Sequence, residues 1–240
     1  MAGLTVRVRL AEPLRFFLAV GRRHGEVDVV TDSASSLLHI VESLGVPRTE
    51  IGELRVAGRV AAPDERPRDG DLVEVSPVVR PQRVADPRFV VDVHLGTLAR
   101  RMRLLGIDVA YRNDASDPEL AAQAAAEGRV LLTKDRGLLR RRAVPRGAYV
   151  RGSRPADQLR DVLDRFDPPL APWTRCPACN GVLEAVPESM VRHQLEAGTR
   201  RSYQDFSRCV ECGRPYWRGA HAQRLEAIVA EALADRTARS

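Results

Sequence analysis

The sequence predicts a multi-domain α/β protein, and three observations carry that reading. The first 80 residues read as strand, strand, helix and then further strands. Residues 88–168 alternate short apolar strands with helical segments. All four cysteines fall in the last third, as the C-x-x-C pairs Cys176/Cys179 and Cys209/Cys212. A chain of 240 residues with 44% hydrophobic content can fill two cores, or one plus small modules.

The first block, residues 1–80, opens with "LTVRVRL" (4–10), whose period-two alternation predicts a half-buried strand. "EVDVV" (26–30) reads as a second strand. In "SASSLLHIVESLGV", Leu37, Leu38, Ile40, Val41 and Leu44 form one apolar stripe of a helix, with Ser33 or Ser35 as its cap and Gly45 as its stop. "IGELRVAGRVAAP" and "DLVEVSPVV" supply further strands. That order is the order of a ubiquitin-like β-grasp. Ubiquitin-like carriers end in a free Gly-Gly, whereas here the chain runs on, so a carrier role is not expected. Docking or RNA positioning is expected of this domain. Residues 80–88, "RPQRVADPR", have no apolar pattern and read as a linker.

The second block, 88–168, begins with "RFVVDV" as a strand and "LGTLARRMRLLG" as a helix ended by Gly106. "IDVAYR" is a strand, "DPELAAQAAAEG" a helix ended by Gly128, and "RVLLTKD" a strand followed by "RGLLRRRA". "GAYVRG" and "PADQLRDVLDRF" read as one more strand and helix. Strands separated by helices give a parallel sheet with helices on its faces. Sites in such sheets lie at the carboxyl ends of the strands.

Three of these strands end on or near an acid. Asp92 closes "FVVD", Asp114 and Asp117 follow "VAYRN", and Asp135 closes "VLLTKD". Parallel strands place these ends along one edge, where crowded carboxylates repel unless a cation sits between them. Hard oxygen ligands there suit Mg²⁺ or Mn²⁺, which can activate water and clamp a phosphodiester. Asp114, Glu119 and Thr133 are secondary catalytic candidates, although Asp117 before Pro118 could equally cap its helix and Ser116-x-x-Glu119 fits a capping box. Asp114 could be a plain loop acid. The Thr133 hydroxyl could hold a metal-bound water or a phosphate. Asp108 opens its strand and reads as a surface turn, and His94 as a loop residue.

The net charge is +6 and the pI about 9.7, which permits a polyanionic partner. Between Arg129 and Arg154 lie Lys134, Arg136, Arg140, Arg141, Arg142, Arg146 and Arg151, with Asp135 the one acid among them. Such local clustering is the footprint of phosphate binding. Arg100 and Arg101 are further candidates for RNA contact. No apolar run approaches the ~18–20 residues that span a bilayer, and the N-terminus lacks signal-peptide order, so a cytoplasmic protein without membrane contact is expected.

The third block, 172–240, carries the cysteines and ends in an amphipathic helix, "HAQRLEAIVAEALADRTARS", expected to fray. Four thiolates satisfy one tetrahedral Zn²⁺ and leave no open position, so Cys176, Cys179, Cys209 and Cys212 predict a structural zinc ribbon. His193 and His221 are spare ligands. The stretch around "PESMVRHQLEAG" predicts an inserted hairpin and helix. Tyr216, Trp217 and Arg218 offer surfaces that could stack on bases.

Residues 89–142 resemble the PIN-like RNase domain of the Mut-seven C-terminal family. The matching residues are Asp92, Leu95, Gly96, Leu98, Ala99 and Arg100, then Asp117, then Leu132, Thr133, Asp135 and Arg136. Tyr216, Trp217, Gly219 and His221 match the family's zinc-ribbon ending, and "IVESLGVPRTEI" with "DGDLVEVSP" looks like its ubiquitin-like domain. The resemblance implies a PIN-like fold and a metal-dependent endoribonuclease with Asp92, Asp117 and Asp135 as catalytic acids. Many PIN enzymes place a fourth carboxylate soon after the third, but Arg136 and Gly137 stand there. The expected partner is RNA (tRNA, rRNA or mRNA), with the ribosome as a further candidate. The alternative is a non-catalytic RNA or ribosome binder, or an adaptor built on the β-grasp domain.

Overall fold

A computed structural model describes residues 3–217 and 222–237. The N-terminal domain comprises β1 (Leu4–Leu10), α1 (Glu12–Arg15), β2 (Val27–Thr31), α2 (Leu37–Ser43), β3 (Ile51–Val56), β4 (Arg59–Ala61) and β5 (Leu72–Pro77). Its sheet runs β2-β1-β5-β3-β4, with β1 and β5 parallel and the other pairs antiparallel. In β1, Leu4, Val6, Val8 and Leu10 face the core while Thr5, Arg7 and Arg9 face water, as the alternation requires. Ser36, rather than Ser33 or Ser35, caps α2 by accepting the His39 N–H. Ser35 is instead held by Thr31 and Asp32. Gly45 ends this helix at φ +98°, where a side chain would be strained.

The middle domain comprises β6 (Phe89–Val91), α3 (Gly96–Leu104), β7 (Val109–Ala110), α4 (Asp117–Glu127), β8 (Val130–Thr133), α5 (Arg136–Leu139), β9 (Gly147–Tyr149) and α6 (Pro155–Phe166). Its sheet is parallel throughout, in the order β7-β6-β8-β9. Phe89 and Val91 pack on one face with Leu98 and Met102 of α3 and Val162 and Phe166 of α6. Val90 packs on the other with Leu120 and Ala124 of α4. The strands are shorter than the apolar runs suggest. The chain leaves β6 at Asp92 because the Asp92 carboxylate accepts the His94 N–H and starts a 3₁₀ turn over Val93–Leu95.

Residues 80–88 are docked rather than free. Arg80 pairs with Asp161 and Asp164, and Arg165 donates to Gln82. Arg165, 1% exposed, also donates to Glu50 at 2.7 Å and to the Thr49 carbonyl at 2.8 Å. Glu50 accepts the Tyr149 N–H at 2.8 Å, which satisfies the edge of β9. Leu139 and Tyr149 lie inside the N-terminal core, so the two domains share apolar surface.

The C-terminal region comprises β10 (Leu183–Val186), α7 (Glu188–Val191), α8 (Ala197–Ser202), β11 (Phe206–Cys209), β12 (Pro215–Trp217) and α9 (Ala222–Thr237). β10-β11-β12 form an antiparallel sheet. The insert between the cysteine pairs folds as α7, a 3₁₀ turn and α8 over Val191, Leu195 and Phe206. Helix α9 does not hang free: Val229 and Ala232 join the middle-domain core, and Arg160 pairs with Glu231 and Asp235.

Candidate active edge and metal centre

The acids stand where a parallel sheet puts them. Asp92 N–H donates to the Leu132 carbonyl at 3.0 Å, which fixes the end of β6 beside the end of β8. The Asp92 side chain is 6% exposed. Its Oδ1 accepts the His94 N–H at 3.1 Å and its Oδ2 accepts the Thr133 hydroxyl. A buried carboxylate persists when donors meet it, and these two donors do so. Thr133, fully buried, accepts the Asp135 N–H on the same hydroxyl at 2.9 Å. Thr133 thus ties Asp92 to Asp135 and does not reach solvent.

Asp135 is exposed and caps α5, its Oδ1 accepting the N–H groups of Gly137 at 2.6 Å and Leu138 at 3.3 Å. A Cβ at Gly137 would stand 3.1 Å from that oxygen. Asp117 opens α4, and its Oδ2 accepts from Arg141 at 3.1 Å. Glu119 completes the capping box, accepting from the Ser116 N–H at 2.8 Å, the Ser116 hydroxyl at 2.7 Å and Arg112 at 2.8 Å. The Ser116 hydroxyl, then its N–H and Arg112, hold the Glu119 carboxyl down at about 2. Asp114 is exposed, 3.4 Å from the Arg112 Nε.

Among the described residues, Asp92, Asp117 and Asp135 do not close into a metal-sized cluster; the four cysteines alone do. Asp92 and Asp135 retain lone pairs for a hard cation, since a carboxylate accepts about four bonds. Asp117 is held by Arg141.

The basic residues are similarly divided. Arg129 is buried between Asp108, Glu127 and the Phe89 carbonyl, so its charge is consumed inside the domain. Arg136 donates to the Phe16 and Phe17 carbonyls of the N-terminal domain. Lys134 Nζ donates to the Gly152 carbonyl at 2.8 Å. Arg101 lines a small cleft with Leu159, Arg160 and Glu231, while Arg100 is exposed on α3. Arg140 and Arg142 are exposed, without an ion pair among the described residues.

The four cysteine Sγ atoms lie within 4.8 Å of one another. Burial raises the Cys176 thiol, but hydrogen bonds from the Tyr216 hydroxyl and from the Cys179 and Ala178 N–H groups outweigh it and bring it to about 7. Burial pushes Cys179 up to about 12. Four thiolates this close need a cation between them, and sulfur at this spacing suits zinc. Tyr216 therefore serves the cysteine cluster through its hydroxyl, 3.0 Å from Cys176. Trp217, 38% exposed, lines an open groove of about 1180 Å³ with Trp173, Tyr203 and Phe206. Arg218, Gly219 and His221 lie outside the described residues.

The cysteine ribbon is anchored by residues that periodicity alone does not expose. Arg103, 2% exposed, donates to the carbonyls of Pro177 at 3.2 Å, Ala178 at 2.8 Å and Val109 at 2.9 Å. Asn180 accepts the Val109 N–H and donates to Asp108, both at 2.9 Å. Asp108 is not a surface turn: it also binds Arg129 at 2.6 Å and Arg175 at 3.3 Å. Burial raises its carboxyl, and Arg129 with Asn180 outweighs that and holds it below the ordinary range.

Residues 87–229 match the Mut7-C RNAse domain, and residues 3–83 match the Mut7-C ubiquitin domain. The chain belongs to the Mut7-C family. No curated protein and no solved structure matches it. The Mut7-C RNAse match runs through the parallel sheet and both cysteine pairs into α9, in keeping with the Arg103 and Asp108 network that binds them together. It points to a ribonuclease-type function. Among the described residues, no helix of this Mut7-C chain is long and apolar enough to cross a membrane.

Proposed function

We propose that the chain is a divalent-metal-dependent endoribonuclease of the PIN-like type, acting on RNA in the cytosol. The observation that carries this is the Thr133 bridge, which holds Asp92 and Asp135 on one carboxyl edge of a parallel sheet. Asp92 and Asp135 would hold Mg²⁺ or Mn²⁺, with Asp117 joining once Arg141 releases it. The ion supplies a water of lowered pKa and charge stabilisation at the phosphodiester. The chain's own part is to orient: Thr133 and the His94 N–H fix Asp92, and the α5 N–H groups fix Asp135. Released from Asp117, Arg141 would face the phosphate backbone, beside Arg140 and Arg142. The cysteines would hold one structural zinc.

Incubation of single-stranded and structured RNAs with Mn²⁺, then with EDTA, tests this. Cleavage is expected to fall by on the order of 10² or more with EDTA or Asp92→Asn, since several kcal/mol of stabilisation are removed. Equal cutting by wild type and Asp92→Asn overturns it. One observation favours a second reading, a non-catalytic RNA binder: Asp117 and Asp135 already serve Arg141 and α5. That reading predicts salt-sensitive binding without metal-dependent cleavage.

A further inference from the structure

The segment between β1 and β2 of the ubiquitin-like domain carries two adjacent phenylalanines with different fates. Phe17 is buried, edge-on to Tyr149 at 5.3 Å. Phe16 keeps 38% exposure although its ring also lies 5.3 Å from Tyr149. Three guanidinium groups lie over the Phe16 ring, with Arg136 at 4.7 Å, Arg151 at 5.7 Å and Arg23 at 5.9 Å from its centroid.

Two of these arginines come from the same sheet edge as the acids. Arg136 directly follows Asp135. Arg151 follows Val150, whose N–H donates to the Thr133 carbonyl at 2.9 Å. The ubiquitin-like domain therefore meets the middle domain beside Asp135. The three arginines are aimed by neutral acceptors: Arg136 by the Phe16 and Phe17 carbonyls, Arg151 by Pro13, and Arg23 by Leu18. Among the described residues none of the three guanidinium groups pairs with a carboxylate. Elsewhere carboxylates pair with Arg9, Arg59, Arg80, Arg112 and Arg160. Cement between domains would need neither a ring left 38% exposed nor three charges without a carboxylate partner. A part-exposed aromatic ring with guanidinium groups lying over it matches the chemistry of single-stranded nucleic-acid binding, in which bases stack on rings and guanidinium planes and phosphates neutralise the cations.

We propose that Phe16, with Arg23, Arg136 and Arg151, forms a stacking platform for an unpaired base of single-stranded RNA at the entrance to the carboxylate edge. The ubiquitin-like domain would thus be part of the substrate channel. This deepens the ribonuclease reading and rests on it for the destination of the strand, though not for the binding itself.

The test uses the full, zinc-loaded chain and a fluorescein-labelled single-stranded oligoribonucleotide without divalent ion, read by anisotropy across a salt series. Phe16→Leu, which keeps apolar volume but not the ring, is expected to weaken binding roughly tenfold, and Phe16→Trp to keep it. Arg151→Gln is expected to lower the salt slope by about 0.7, the loss of one phosphate contact on a single strand. Wild-type affinity and slope in both Phe16→Leu and Arg151→Gln overturn the proposal, as does a duplex that competes as well as the single strand. Photocrosslinking of 4-thiouridine RNA to the unaltered chain guards against misfolded variants: adducts within residues 12–25 are expected, and adducts confined to the cysteine ribbon overturn it. A chain that binds RNA in this way yet cuts none with Mn²⁺ refutes the ribonuclease reading alone.

Discussion

The cysteine cluster and the aspartate edge are both sets of would-be metal ligands, yet they are organised differently. The four thiols converge within 4.8 Å because two tight knuckles face each other, and their partners, the Tyr216 hydroxyl and knuckle N–H groups, hold them in place without drawing them apart. The three aspartates do not converge to that degree, because a carboxylate is an acceptor that the backbone and arginines readily occupy. Asp92 holds a turn, Asp135 caps a helix and Asp117 pairs with Arg141. The thiol cluster is thus preassembled for an ion, whereas the carboxylates would have to exchange protein donors before a metal could bind.

The largest expected effect lies on the thiol side. Structural zinc contributes roughly 10–16 kcal/mol of apparent binding energy in small modules. Metal analysis should find one zinc per chain, and Cys209→Ser should lose it, leaving residues 175–217 open to limited proteolysis. Full protection without metal would break the comparison. On the acidic side, Thr133→Val removes one donor to a buried carboxylate, which costs about 1–3 kcal/mol. Urea unfolding should show that loss, and Thr133→Ser should restore most of it.

Releasing Asp117 sharpens the contrast further. Arg141→Ala should tighten Mn²⁺ binding several-fold, because an ion pair competing with the metal is removed, and unchanged affinity would show that Asp117 is no ligand. The smallest effect concerns Glu119, an acid assigned to capping. Its carboxyl sits at about 2 in the folded chain against an ordinary 4.5. A lowered folded value means that its stabilisation is present above about 4.5 and is lost as the pH falls toward about 2. Hydrogen exchange in the first turn of α4 should therefore quicken over that window, and Glu119→Gln should flatten the change.

Much of this architecture was legible in the sequence because it rests on local pattern. The alternation of Leu4 to Leu10, the stops at Gly106 and Gly128, and the cysteine spacing each follow from chemistry within a few residues. Residues whose partners are remote were not legible. Glu50 looks like a surface acid until Arg165, 115 positions on, pairs with it in the core. Asp108 reads as a surface turn, and Arg103 carries no signal of its own, because Asn180, Pro177 and Ala178 lie more than 70 residues away. Strand ends were overextended for the same reason: β7 pairs with β6 only at Phe89–Val109 and Val90–Ala110, and apolar runs do not mark where pairing stops. At the acidic edge, the placement of Asp92 and Asp135 at strand ends was legible from the ends of apolar runs. The Thr133 bridge and the Arg141 clamp were not, since both depend on which strand lies beside which.

The central claim is that Asp92 and Asp135 share a divalent ion. Electron paramagnetic resonance of Mn²⁺ titrated into the zinc-loaded chain, with a non-cleavable RNA present, tests it most directly. One bound Mn²⁺ in the wild type, lost in both Asp92→Asn and Asp135→Asn, is the predicted result. The same Mn²⁺ occupancy in all three proteins would contradict it.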